Sequence, residues 1–175
     1  MALRQRQETQ KGALVRASLM ESAIAALANQ ATNWLMAGHI PQRMGTLHPN
    51  IAPYGEMFET KDGKLLILSI GSDRQFLALC TCLNRLDLLE NAVYKTNLER
   101  VKNRLGLADE LRASFKNLIA KDILESCHQN FVPIGQVRNM QEVFEQPRAQ
   151  KMILEEEIEG LSTKRVRTAA FKIGE

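Results

Sequence analysis

GHIPQRMGTLHPNIAPYGEMFETKDGKLLILSIGSD, residues 38–73, is the stretch whose reading decides the fold. It holds three of the five prolines and two of the three histidines of the 175-residue chain, and it separates two helical patterns. Proline fixes φ and lacks an N–H, so Pro41, Pro49 and Pro53 rule out a continuous helix here. Tyr54–Thr60 and Leu65–Ile70 are extended runs joined through Lys61-Asp62-Gly63. A short turn with Asp-Gly between two such runs predicts a β-hairpin. The stretch therefore reads as an ordered loop, a hairpin and the start of a helix at Ser72-Asp73.

Upstream, Ser18 opens a helix, and Glu21 three residues later predicts a capping box. Met20, Ile24, Leu27, Ala31, Trp34 and Leu35 recur at steps of three and four, which predicts one buried face on a helix running to Ala37. Gly38 stops it. The alanines between them, Ala23, Ala25, Ala26 and Ala28, let another backbone approach closely. Ala13–Ala17 is a short extended candidate. Residues 1–12 read as the polar end of a helix, closed by Gln10-Lys11-Gly12.

Downstream, Ser72 and Gln75 predict a second capping box, and Phe76, Leu79, Cys80 and Leu83 a buried stripe. Residues 84–96 read as irregular. Leu98, Val101, Leu105, Ala108, Leu111, Phe115 and Leu118 predict a long helix over 97–120, with Gly106 inside it at about 1 kcal/mol relative to alanine. A short helix is expected over 122–129, and a turn at Val132-Pro133 leads into a short extended piece. Asn139 and Glu142 cap a further helix, which Pro147 brings towards its end. Alternation from Met152 to Ile158, a turn at Glu159-Gly160 and a run from Val166 to Ile173 predict a closing hairpin. Helices and antiparallel strands mix without a βαβ rhythm, so the fold class is α+β.

Composition narrows the function classes. The chain is 45% hydrophobic but 5% aromatic, so aliphatic packing builds the core. A net charge of +3 from 23 basic and 20 acidic residues gives no case for nucleic acid. No run approaches the ~18 apolar residues of a membrane span, and MALRQRQETQKG has no apolar core of a signal peptide. Cys80 and Cys82 fall on different faces of a helix, which spoils a metal pair; no metal site is expected. With Cys127 they read as reduced, buried thiols of a cytoplasmic protein.

Few residues suggest chemistry. Asp73 lies in the first turn of a helix, where N–H groups favour an anion; complementing the helix dipole is the plainer reason for it. His48, in Leu47-His48-Pro49, could move a proton near neutral pH, or hydrogen-bond the backbone and fix the loop. Arg43 could grip a phosphate or carboxylate through two N–H groups, or satisfy loop carbonyls. Gly71-Ser72-Asp73 offers N–H groups to an oxyanion. His39 and His128 read as surface residues. No Walker, G-x-S-x-G, G-x-G-x-x-G or His-Glu-x-x-His motif is present.

The stretch carries more than this chemistry. Gly38-x-x-Pro41-x-Arg43-x-Gly45-x-x-His48-Pro49-x-x-x-Pro53-Tyr54, then Phe58-x-Thr60-x-Asp62-Gly63, then Ser72-Asp73-x-Gln75-Phe76 resembles the class III CoA-transferase family. That family includes formyl-CoA transferase, carnitine CoA-transferase and α-methylacyl-CoA racemase. Val15-x-Ala17-Ser18-Leu19, Thr96-Asn97-x-x-Arg100-Val101-x-Asn103-Arg104 and Val132-Pro133-x-Gly135 resemble flanking segments in the same order.

The resemblance implies the family's small domain over residues 38–175, with β-hairpins packed against several helices. Residues 1–37 would be an N-terminal helix arm from the end of the large domain. It implies acyl-CoA:carboxylate CoA transfer with CoA or acyl-CoA as substrate and no bound cofactor. Arg43, His48, Gly71, Ser72 and Asp73 would face substrate, and Asp73 and His48 are the catalytic candidates. The segment Gly71–Asp73 corresponds to a loop near the acyl group. In the racemase branch, Asp73 falls where a glutamate acts. The nucleophilic aspartate of the transferases would lie before Met1, so the expectation is a chain inactive alone, or half of a split enzyme. Family members form interlocked dimers. An exposed apolar patch on residues 18–37 is therefore expected, met by a second copy or by a chain supplying the rest. The alternative is a non-catalytic module that keeps the fold and dimerises.

Overall fold

The hairpin predicted around Lys61-Asp62-Gly63 anchors the larger part of the computed structural model, which describes residues 1–169 and 171. The chain divides into two compact units, residues 1–45 and 46–175.

In the first unit, α1 (Ala2–Thr9) ends at Gln10, whose φ of 55° takes the left-handed position expected of Gly12. Residues 13–17 form no strand. Ser18 Oγ accepts from Glu21 N at 3.3 Å and starts α2 (Leu19–Ala26). The single predicted helix is interrupted at Leu27, whose N–H turns to the Ile24 carbonyl three residues back. Then α3 (Ala28–Ala37) runs to Gly38, which closes it at φ 63°. Met20, Ile24, Leu27, Trp34 and Leu35, whose spacing predicted a buried face, are 51–76% exposed.

The second unit is built on a three-stranded antiparallel sheet ordered β1 (Tyr54–Glu59), β2 (Leu65–Ser69), β3 (Ile134–Gln136). Alternation sends Phe58, Leu66 and Leu68 inward onto α4 (Asp73–Cys82), α7 (Arg104–Phe115) and α8 (Ala120–Gln129). Phe58 stacks on Phe115 with ring centroids 5.0 Å apart. The predicted α4 stripe of Phe76, Leu79, Cys80 and Leu83 is buried. In the hairpin turn, Asp62 Oδ1 accepts from Thr60 Oγ1 at 2.7 Å and from Ala120 N at 3.0 Å. It thereby caps α8 from 58 residues away. A bulge between Tyr54 and Met57 brings Gly55 against the preceding loop at φ 92°, where a Cβ would meet Thr46 O at 1.9 Å. The Ala52–Pro53 peptide bond is cis.

Three other expectations are corrected. The segment 84–96 contains α5 (Asp87–Glu90) and a 3₁₀ turn (Ala92–Tyr94), which Asn91 caps through Val93 N. The long helix of 97–120 is instead α6 (Asn97–Lys102) and α7, divided at Asn103, and it ends at Phe115. Leu98 and Leu105 face solvent while Arg100 and Arg104 turn inward with Leu107, Leu111 and Phe115. A hydrophobic stripe cannot nominate an arginine for the interior, so its phase slipped there. Pro147 does not close α9 (Met140–Phe144) but opens α10 (Pro147–Gln150), a position where its missing N–H costs nothing.

Asn139 and Glu142 form the expected capping box, with bonds of 2.9 and 3.0 Å. The closing hairpin pairs β4 (Ile153–Ile158) with β5 (Leu161–Val166), the second strand starting directly after the Glu159-Gly160 turn. Residues 170, 172 and 173 of the expected second run lie outside the described residues. Helices mixed with small antiparallel sheets make the fold α+β. Among the described residues no helix is long and apolar enough to cross a membrane.

Candidate functional site

The start of α4 and the loop before β1 are held from beneath by one polar stripe, Asn97, Arg100 and Arg104 on α6 and α7. Their spacing of three and four residues puts them on one helical side. Asn97 Nδ2 donates to Asn50 O at 2.8 Å, and its Oδ1 accepts from Ala52 N at 3.1 Å. Arg100 is 1% exposed. Its Nε donates to Ala52 O at 2.8 Å, its Nη1 to Tyr94 O at 3.1 Å and its Nη2 to Asp73 Oδ1 at 2.6 Å. The guanidinium lies over the Phe76 ring, 4.4 Å from the centroid. A cation this deep persists because its donors and charge are matched.

One turn on, Arg104 Nη2 donates to His48 O at 2.5 Å and to Ile51 O. Its Nε lies 3.2 Å from Glu56 Oε1. Glu56, turned inward at the bulge, is 6% exposed. Both of its carboxylate oxygens, and Nε and Nη1 of Arg104, lack an aligned hydrogen-bond partner among the described residues. Burial pushes the Glu56 carboxyl up from its ordinary range, and the Arg104 charge opposes this only in part.

Asp73 is the first residue of α4, and its side chain is 63% exposed. One oxygen is committed to Arg100 while the carboxylate remains reachable from solvent. Ser72 Oγ accepts from Gln75 N at 3.3 Å. Gln75 Oε1 does not return to Ser72, as a capping box requires, but accepts from Gly71 N at 2.8 Å. That N–H, expected to be open to an oxyanion, is thus taken. On the flank of α4, Ser72, Arg74, Gln75, Ala78, Asn130 and Phe131 line an open cavity of about 330 Å³.

His48 is half-buried, its Nδ1 accepting from Asn50 N at 3.1 Å and its ring edge-on to Tyr54 at 5.2 Å. An accepting Nδ1 leaves Nε2 as the protonated nitrogen of the neutral ring. The structure thus brings His48, Gly71, Ser72 and Asp73 into one unit around the two arginines. Arg43 is exposed and falls in the first unit, outside this geometry. His39 is exposed; His128, also exposed, sets its Nε2 3.1 Å from Ile134 O.

Cys80, Cys82 and Cys127 are free thiols. Burial pushes Cys80 up to about 11 and Cys127 up to about 12, so neither supplies a thiolate near neutral pH. Among the described residues no three His, Cys, Asp or Glu side chains cluster as a metal site would require. The sequence reading missed Asn97, Arg100, Arg104 and Glu56 as functional positions. The signal was a polar stripe at helical spacing inside a helix read for its apolar residues.

Comparison with known proteins bears on what this geometry serves. The sequence profile of CoA-transferase family III matches residues 1–173. Succinate–glutarate CoA-transferase of Agrobacterium fabrum is 35% identical over 142 residues, which cover 81% of this chain and 35% of that protein. Human succinyl-CoA:glutarate CoA-transferase is 35% identical over 143 residues, covering 82% of this chain and 32% of its own. The chain therefore spans about a third of the length of these relatives. A crystal structure of a CAIB/BAIF family protein from Brucella suis aligns with a TM-score of 0.67 and 33% identity, over 98% of this chain and 44% of that one. A Mycobacterium tuberculosis structure at 20% identity shares the fold with a TM-score of 0.78.

Proposed function

The chain belongs to CoA-transferase family III, and from that premise we propose that it serves CoA transfer between an acyl-CoA and a free dicarboxylic acid. It supplies the small-domain side of the site. The observation that carries this reading is Asp73, a carboxylate fixed at one oxygen by a buried arginine yet open to solvent. The 35% identity to enzymes named for succinate and glutarate supports dicarboxylates as the acids. In this reading Asp73 and Ser72 face the acyl group, and His48 shapes the loop beside them. The exposed apolar stripe of α2 and α3 is the surface on which a second copy or a complementing polypeptide packs. Three free thiols suit a reducing compartment, the cytoplasm.

One observation favours a second reading, a dimerising module without chemistry. His48 Nδ1 is bound to Asn50 N, which is the bond of a loop-fixing histidine. Isothermal titration of the chain with succinyl-CoA, together with its mass in solution, separates the two. Micromolar binding that Asp73→Ala weakens by about tenfold supports the CoA site. No binding up to millimolar thioester, with a clean dimer mass, leaves the module.

A further inference from the structure

We propose that Arg100 is a positioning residue: it sets the Asp73 carboxylate and the His48–Ala52 loop in one fixed relation at the substrate-facing side of the unit. This rests on the reading of Asp73 as substrate-facing. Arg100 uses three donor directions for three separate segments, the loop at Ala52, the 3₁₀ turn at Tyr94 and the start of α4 at Asp73. Its guanidinium carbon sits over the Phe76 ring, 4.4 Å from the centroid. A lysine ammonium lacks the planar fork whose separate N–H groups reach three segments, so the site calls for arginine rather than for a positive charge alone.

The choice of counter-ion separates positioning from plain structural support. Among the described residues two arginines are buried, one turn apart. Arg104 has a buried partner, Glu56, which suits a pair that serves the core. Arg100 is the more deeply buried of the two, yet its acid is mostly in water. An exposed carboxylate is a poor counter-ion for stability, because solvent screens it and its side chain has freedom to lose. It is a good arrangement for a carboxylate that must be reached from outside while keeping one orientation. Arg100 also bonds Ala52 O, while Arg104 bonds His48 O and Ile51 O, so the same helical side fixes the loop. A change at Asp73 is therefore transmitted to the loop through one rigid side chain.

The test is Arg100→Lys in the whole chain, titrated with succinyl-CoA, beside Leu111→Val as a control that loosens the core away from Asp73. Arg100→Lys is expected to weaken binding by about tenfold. Leu111→Val lowers the thermal midpoint but leaves binding within about twofold. Adding Asp73→Asn to Arg100→Lys produces no further loss. Equal affinities of Arg100→Lys and the native chain would overturn the proposal, as would a loss that merely tracks the midpoint in both variants. If the native chain itself does not bind succinyl-CoA, the functional reading fails separately. The positioning claim is then read from ¹H–¹⁵N spectra of the free protein. Asp73→Asn is expected to shift the amides of Asn50 and Ala52, and this shift disappears in the Arg100→Lys background. Loop amides indifferent to Asp73→Asn in native-background protein would sink it, even if Arg100→Lys does not fold.

Discussion

The two units carry equally regular apolar stripes and use them in opposite ways. In α4, residues at steps of three and four meet the sheet and are buried; in α2 and α3 the same steps leave Trp34 and Leu35 in solvent. Periodicity states which residues share a direction, and only tertiary structure states what lies in that direction. The second unit covers its stripes with its own strands, as Phe58 covers Phe115. The first unit presents its stripe as a surface.

That contrast can be broken or sharpened by substitution. Removing the stacked ring with Phe115→Ala is expected to cost the second unit about 3–5 kcal/mol in denaturant unfolding, since a fully buried side chain leaves a cavity. Glu56→Leu comes next, at about 3 kcal/mol, because the Arg104 charge would remain buried without its acid. Gly55→Ala is expected to cost about 2 kcal/mol and to move the 46–53 loop, since its Cβ would overlap backbone at Thr46. Trp34→Ala should change stability by less than about 0.5 kcal/mol while shifting the sedimentation of the chain towards smaller species. A loss above about 2 kcal/mol for Trp34→Ala would instead mean that the stripe is covered within the folded monomer, and the contrast would fail.

The buried acid adds a pH dependence to the second unit. Burial raises the Glu56 carboxyl above its unfolded value. Between the two values the native protein holds a proton that the unfolded chain has released. Unfolding free energy from Glu56 therefore falls as pH rises through that window. A urea series from pH 4 upward checks this: Glu56→Gln should flatten the decline, and a slope unchanged by that substitution would refute the assignment.

Much of the second unit was legible because its signals are local. Asp62-Gly63 marks a turn between the extended runs Tyr54–Thr60 and Leu65–Ile70, and Ser72 and Asn139 mark helix starts. What escaped depends on distant partners. Arg100 and Arg104 are buried only because carbonyls at 48, 51, 52 and 94 and acids at 56 and 73 meet them there. The motif containing both arginines was visible as a resemblance, but its spacing said nothing of the loop they hold. The helix break at Asn103 carries neither glycine nor proline, so nothing local announced it. Asp73 was visible at its helix start, whereas its arginine, 27 residues later, was not.

The order of strands has a consequence for how the protein is made. β2 lies in the middle of its sheet, yet one of its neighbours, β3, begins about 65 residues after Ser69. At a synthesis rate of roughly 5–20 residues per second, the nascent β1–β2 ribbon waits about 3–13 s with one side of β2 unpaired. During that interval Ile67 and Leu68 are open to any extended segment nearby, and the ribosome-bound chain is at its most vulnerable to mispairing.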